Sequence, residues 1–224
     1  MTAQARRRSA AVAVLVAALI AIVWLIWPEG AVRVAEPEGP PPAQAVATGE
    51  VLHPARCHRP AKKPFVPTRL TVPRVVRDAE VVGLPRDGNN VPGALPIGAS
   101  NAKIAYAWDE PTLKPGSPQG NVLINAHTWP DDSALGNKML DHLQVGMRMI
   151  VHGAHGEELC YKVTKRDVIV ASDGSFEYYE QDGPPQLALI VCSPPRLGPG
   201  NWLHRTIWYA SPVGSPQARA VKAS

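Results

Sequence analysis

Aromatic side chains are scarce in this sequence: two Phe, five Tyr and six Trp among 224 residues, so any aromatic core is thin. No Cys-x-x-Cys, His-Glu-x-x-His or phosphate-binding glycine loop is present, which leaves zinc, redox and nucleotide chemistry without a motif. No internal repeat is found. A basic stripe is missing as well. The net charge is +4 and the sequence pI near 9.1, yet residues 69–212 hold 13 basic and 15 acidic residues. The basic surplus sits at the two ends, and the part able to fold compactly is slightly acidic. Nucleic acid is thereby excluded as the main partner. What the chain has in quantity is proline (24) and glycine (18), which disfavours a long helical bundle or coiled coil. Its length allows one ordinary domain plus appendages.

Residues 10–27 form an unbroken run of 18 apolar residues without Gly, Pro or charge. As a helix it would span about 27 Å, close to the hydrocarbon thickness of a bilayer. Arg6, Arg7 and Arg8 precede it, whereas Glu29 and a single Arg33 follow, which predicts a cytoplasmic N-terminus and an extracellular remainder. Trp24 and Trp27 fall at the outer end of the run, where indole rings favour the interface. The rival reading is a cleaved signal peptide, but the nearest small-x-small site, Ala43-Gln44-Ala45, lies far beyond the run. Residues 28–68 contain nine prolines and no usable hydrophobic period. Such a linker reaches on the order of 120 Å as polyproline and about 35 Å as a coil. The expected organisation is a cytoplasmic basic segment (1–9), a transmembrane signal anchor (10–27), a proline-rich extracellular linker (28–68), a folded domain (69–211) and a flexible tail (212–224).

From residue 69 onward, short apolar runs alternate with Gly, Pro and Asn punctuation. Strands are predicted over 69–72, 78–83, 103–107, 121–127, 147–152, 159–170, 186–192 and 205–210. Only 133–143 invites a helix, with Leu135, Met139, Leu140 and Leu143 about one face apart. That many short strands in so few residues point to an all-β closed barrel or sandwich.

The reactive residues are few. Cysteines stand at 57, 160 and 192, an odd number, so in an extracellular domain one thiol is left over or pairs with another molecule. Cys192 closes the strongest strand-like run, Leu187-Ala188-Leu189-Ile190-Val191, and Ser193-Pro194-Pro195 follows. His127 stands in the same situation after Val122-Leu123-Ile124-Asn125-Ala126. A cysteine and a histidine at strand ends make a credible nucleophile and proton carrier. Each also has a bland reading, as a small core residue or a polar cap. Arg205 lies 13 residues after Cys192, a spacing that suits neighbouring strands joined by a loop. Its guanidinium stays charged and can hold a carbonyl oxygen that becomes an oxyanion. Arg196 reads as a solvated loop charge, and strand alternation points His204 away from the side taken by Arg205.

His127-Thr128-Trp129 at a strand end, Cys192 ending a later strand and Arg205 starting the next resemble the His–Cys–Arg triad of sortases. The resemblance covers residues from about 69 to 211. It implies an eight-stranded β-barrel with one or two short helices, catalytic roles for Cys192, His127 and Arg205, and no cofactor. It also implies a cysteine transpeptidase that cleaves a sorting motif of the LPxTG or LAxTG type and transfers the product to a cell-wall or pilin amine. The prolines and loop style resemble class E or F enzymes of high-GC Gram-positive bacteria. Family position places substrate contacts at Val168, Ile169, Val170, Val191 and Trp129. Two departures stand out. Where the family reads Thr-Leu-x-Thr-Cys, this chain has Ala188-Leu189-Ile190-Val191-Cys192, and Ala126 replaces the glycine before the histidine. Asp173, Glu177, Glu180 and Asp182 could bind calcium, as in some sortases, although a solvated acidic loop is the simpler reading. A papain-type protease needs an early nucleophile on a helix, and the Ser-His-Gly-Cys signature of L,D-transpeptidases is absent around Cys192. From another class, the domain could be an inactive wall-binding scaffold on the same barrel.

In the 159–170 strand, Leu159, Tyr161 and Val163 alternate with Cys160, Lys162 and Thr164, so Cys160 shares the parity of a lysine and is expected to face outward. A Cys57–Cys160 disulfide is then expected, leaving Cys192 as the free thiol. The alternative is two unpaired thiols, with Cys160 covered by a neighbouring loop.

Overall fold

The computed structural model describes residues 63–221. The apolar run 10–27, most of the proline-rich linker, Cys57 and the last three residues lie outside the described residues. Among the described residues, no helix is long and apolar enough to cross a membrane.

Eight strands form: β1 (Pro67–Val72), β2 (Val76–Leu84), β3 (Tyr106–Asp109), β4 (Asn121–Ala126), β5 (Arg148–Gly153), β6 (Glu158–Val170), β7 (Gln186–Gly198) and β8 (Asn201–Pro212). They close into a barrel in the order β1-β2-β3-β4-β7-β8-β6-β5, so no strand is left with an unpaired edge. Two pairs are parallel, β2 with β3 and β4 with β7. Parallel neighbours need a crossover connection. The 85–105 segment between β2 and β3 and the 171–185 segment before β7 therefore run across the outside of the barrel, and both border the site described below.

Period-two alternation divides the apolar residues between two faces. Val122, Ile124 and Ala126 of β4, Leu187, Leu189 and Val191 of β7, and Trp208 and Ala210 of β8 point into the inner core. Leu123, Ala188, Ile207 and Tyr209 point outward and are covered by Tyr178 of the 171–185 segment. The β7 run reads as continuously apolar because it is buried on both sides. Asn121 fixes this cover, its side-chain amide donating to the carbonyls of Glu177 and Tyr178 at 2.6 and 3.2 Å. Gly120 has to be glycine: its φ is +71°, and a Cβ there would sit 2.3 Å from the Gln181 carbonyl oxygen.

A short helix, α1 (Leu135–His142), follows β4 and closes the barrel interior with Leu135, Met139 and the adjoining Leu143. The Trp208 indole donates to the Leu143 carbonyl at 3.0 Å. This is the helix expected over 133–143. The strand expected over 103–107 instead begins at Tyr106, because Ile104 and Ala105 turn back onto the Asn101 carbonyl. The Lys103 carbonyl is meanwhile taken by the Leu135 amide at the start of α1. The C-terminal segment expected to be a flexible tail carries a second helix, α2 (Pro216–Ala220). Ser215 caps it by accepting from the Ala218 amide, and proline occupies its first turn.

Asp109, at the end of β3, is fully buried and takes a bidentate pair from Arg86, with contacts of 2.6 to 3.1 Å. The same guanidinium lies over the Tyr179 ring at 5.7 Å. One arginine thus ties the two crossover segments to the barrel.

The parity expected for β6 holds: Leu159, Tyr161 and Val163 belong to the inner core, and Cys160 does not. Cys160 is nonetheless buried, and it is disulfide-bonded.

Candidate active site

Cys192 and Arg205 stand directly opposite each other across the β7–β8 pair, and Ile169 of β6 stands opposite Arg205 on its other side. The row Cys192–Arg205–Ile169 therefore crosses three strands on one face. Alternation identifies that face as the outer one, since Cys192 follows Ala188 and Ile190 at steps of two, and Arg205 precedes Ile207 and Tyr209. On β4, Ala126 pairs with Val191, so His127 is the next residue in parallel register beside Cys192. It shares the parity of Leu123 and Asn125. His127, Cys192 and Arg205 line one cavity of about 700 Å³, a size typical of ligand sites. Apolar residues of both crossover segments form its other walls, among them Val91, Ile97 and Tyr178.

Two expectations about β7 and β8 need correcting. Cys192 does not end its strand, for β7 continues to Gly198 past a cis Pro194–Pro195 bond, and β8 already begins at Asn201. Proline's missing N–H and the register shift between Ser193 and Arg196 made this extension illegible. Arg196 is accordingly on a strand opposite Trp202, not in a loop, and although exposed it lines the same cavity. His204 lies opposite Ser193 and contacts the Pro194 carbonyl through Nδ1 at 2.7 Å, on the side away from Arg205.

The backbone around His127 is held from several sides. The Gly136 amide of α1 donates to the His127 carbonyl at 2.8 Å. A Cβ on Gly136 would meet that oxygen at 2.5 Å, so the helix can sit there only with glycine. Thr128 donates through Oγ1 to the Cys192 carbonyl at 2.6 Å, joining the end of β4 to β7. Asn137 receives the Trp129 amide and donates to the Trp129 carbonyl, at 2.8 and 2.9 Å. The Trp129 ring meets His127 edge-on at 5.8 Å. Thr128 and Trp129 stand in the motif around His127, but the contacts they make carry no signature in sequence. The roles of Thr128, Gly136 and Asn137 become legible only once α1 and β7 are placed beside His127.

Of the expected substrate contacts, Ile169, Val191 and Trp129 line the triad cavity, although the Val191 side chain belongs to the inner core. Val168 and Val170 do not. They lie opposite Thr206 and His204, on the other face of β6, and Val168 lines a separate cavity of about 310 Å³. The physical reason is the same two-residue alternation that brings Ile169 beside Arg205. The acidic residues of the 171–185 segment are dispersed: Glu177 pairs with Lys165 at 2.7 Å, and among the described residues no group of three metal-ligating side chains forms.

Burial pushes the Cys192 thiol up from its ordinary range, and the Arg205 guanidinium partly opposes this. Arg205 donates through Nη1 to the carbonyls of Trp202 and His204 at 3.2 and 3.0 Å. Its Nε and Nη2 donors make no hydrogen bond among the described residues. Replacing Arg205 by Met removes the cation while keeping an apolar stem of comparable length. The expected result is a further rise in the pH at which iodoacetamide alkylates Cys192. An unchanged alkylation profile would mean that the guanidinium is not felt at the sulfur.

The sortase domain family model matches residues 70–213. Similar solved structures include sortase C1 of Streptococcus agalactiae, at 20% identity and a TM-score of 0.48 over 66% of each chain. Sortase A from Corynebacterium diphtheriae matches at 16% identity and a TM-score of 0.49, over 69% of this chain and 64% of that one. Sortase C1 from Streptococcus suis matches at 17% identity and a TM-score of 0.48, over 67% and 74%. The match thus spans about two thirds of the Streptococcus agalactiae chain. No curated protein sequence matches. Because the matched family region runs from β1 through β8 and contains Cys192, His127 and Arg205, the chain belongs to the sortase family.

Proposed function

We propose that this chain is a membrane-anchored cysteine transpeptidase that cleaves an LPxTG- or LAxTG-like C-terminal sorting motif and transfers the product to an amine. The acceptor is an amine of a peptidoglycan precursor or of a pilin. The observation that carries the reading is the placement of Cys192 directly opposite Arg205, with His127 lining the same apolar-walled cavity.

In this reading the Cys192 thiolate attacks the carbonyl carbon of the motif threonine, and the free donors of Arg205 hold the oxygen as negative charge develops on it. His127 gives a proton to the departing glycine nitrogen as the C–N bond breaks, leaving a thioester on Cys192. The acceptor amine then attacks the thioester and loses its proton to His127, and the sulfur leaves as thiolate. No cofactor takes part. The proposal assigns the enzyme to a class E/F-like type from high-GC Gram-positive bacteria, supported by its proline-rich loops. The loss of both threonines before Cys192 affects the choice of motif and leaves the triad complete.

The anchor is the 10–27 run, with the barrel outside the cell. The expected result is a mature protein that pellets with membranes and resists carbonate extraction, whereas a mature N-terminus at Val46 would place cleavage after Ala45. Cys57 is the proposed partner of Cys160. Thiol titration of unreduced, denatured protein should then find one free sulfhydryl, belonging to Cys192, and a count of three would remove the disulfide.

The deciding experiment is a panel of sorting-motif peptides incubated with an amine acceptor, with products followed by mass spectrometry. Cleavage with amide formation is expected for at least one LPxTG- or LAxTG-type peptide. Binding of such peptides without cleavage would make the domain an inactive scaffold.

A further inference from the structure

The 85–105 segment meets β4 in a way that the mechanism above does not use. Asn125 donates through Nδ2 to the Gly93 carbonyl at 2.8 Å, and His127 Nε2 lies 2.6 Å from the Leu95 carbonyl. Asn125 and His127 are two apart on one strand, so their side chains share a face. Gly93 and Leu95 are likewise two apart in the facing segment. The two contacts form a ladder in which side chains occupy the places that backbone amides hold in a sheet. Pro92 and Pro96 flank those carbonyls and offer no N–H. The Leu95 side chain is buried against Ala105 and Ala107, which anchors the segment. A Cβ on Gly93 would meet the Pro85 carbonyl oxygen at 2.5 Å, so the segment also packs tightly against the end of β2.

We infer that Asn125, acting through this segment, is a positioning residue that locks the proton and the orientation of the His127 ring; the inference rests on the sortase reading for its catalytic meaning. A carbonyl oxygen only accepts, so the nitrogen facing Leu95 carries a proton, and in the neutral ring the lone pair is at Nδ1. Nδ1 is then the atom that exchanges protons. It takes the proton from the Cys192 thiol, returns it to the departing amine, and later takes one from the acceptor amine. Throughout the cycle the Nε2–H···O contact to Leu95 stays made, and the carbonyl faces the imidazolium whenever it forms. Use of Nε2 would require that partly buried contact to break twice per turnover.

Two variants disturb the ladder from opposite ends. Asn125→Leu keeps the bulk and removes the donor. Gly93→Ala pushes on the segment at a residue that does not line the cavity. The first readout is the nitrogen-15 spectrum of histidine-labelled protein, with His127 assigned by difference from His127→Asn. Wild-type protein should show a protonated Nε2 and a bare Nδ1 in the neutral ring, and both variants should show a mixture of tautomers. The second readout is peptide cleavage, in which kcat should fall about 10- to 100-fold in both variants. The KM for peptide should stay near the wild-type value in Gly93→Ala. A neutral wild-type ring protonated at Nδ1 would overturn the inference, as would wild-type kcat in both variants. Lost activity with an unaltered tautomer would also overturn it, leaving the ladder a purely structural contact. If wild-type protein cleaves no peptide, the sortase reading fails by itself, and the nitrogen spectrum still decides the positioning of His127.

Discussion

Cys192→Ala, His127→Ala and Arg205→Ala are each expected to lower peptide transfer by about 10³-fold or more, because groups that act as a unit lose most of the rate when any one is removed. The three losses should not multiply. A double variant such as Cys192→Ala with His127→Ala should be no slower than Cys192→Ala, since without the thiolate there is no thioester for the imidazole to serve. Stability should change little. Cys192, His127 and Arg205 are only partly buried on the outer face, and none belongs to the inner core. Arg196→Ala is the informative control, because Arg196 lines the same cavity and carries the same charge. It lies opposite Trp202, whereas Arg205 lies opposite Cys192 itself. Transfer assays on Arg196→Ala should therefore retain most of the activity. The reverse outcome, an active Arg205→Ala with a dead Arg196→Ala, would reassign the oxyanion role to Arg196.

The second large effect concerns stability and arises at Arg86. Asp109 is fully buried, and its carboxylate is held by the Arg86 guanidinium through both oxygens. Arg86→Met leaves that carboxylate without its cation in a site that water does not reach, and removing one partner of such a pair costs about 3–5 kcal/mol. The loss should appear in chemical denaturation as a lower midpoint at unchanged slope. Replacing both residues, as Arg86→Met with Asp109→Leu, should recover a large part of it, because no buried charge then remains. If Arg86→Met alone costs less than about 1 kcal/mol, the pair behaves like a surface ion pair. Arg86 also lies over Tyr179 and helps hold both crossover segments, so local loosening around the cavity should accompany the loss of stability. Proteolysis within 85–105 or 171–185 should quicken before global unfolding does.

Most of the barrel was legible because its strands announce themselves in two ways. The 187–191 run is apolar at every position, as befits a strand covered on both faces, and the 159–163 stretch alternates cleanly enough to separate Cys160 from the core set. All eight expected strands correspond to observed ones, and the helix at 133–143 was readable from the spacing of Leu135, Met139 and Leu143. The misses cluster where tertiary partners override local pattern. Residues 101–104 form a turn because α1 claims the Lys103 carbonyl. Residues 193–198 stay in β7 despite two prolines because β8 begins early enough to pair with Arg196 and Gly198. Val168 and Val170 were set beside Ile169 by family position, although neighbours on a strand point to opposite faces.

The amino-acid pattern already limits which chemistry is available. One cysteine and one histidine that each close an apolar run, with an arginine 13 residues beyond the cysteine, limit the reactive groups to a small set. Parity assigned their faces, because side-chain direction along a strand depends only on counting. Which strands lie side by side was decided by the tertiary structure alone. The parallel pairing of β4 with β7 sets His127 beside Cys192 across 65 residues of chain, and the antiparallel pairing of β7 with β8 sets Arg205 opposite it. So was the approach of Leu95 to His127, which depends on how a proline-flanked crossover packs over the barrel. Contacts of that kind join backbone carbonyls to side chains far away in sequence. A carbonyl is common to every residue and leaves no mark in the amino-acid pattern, so only the closed fold reveals which ones matter.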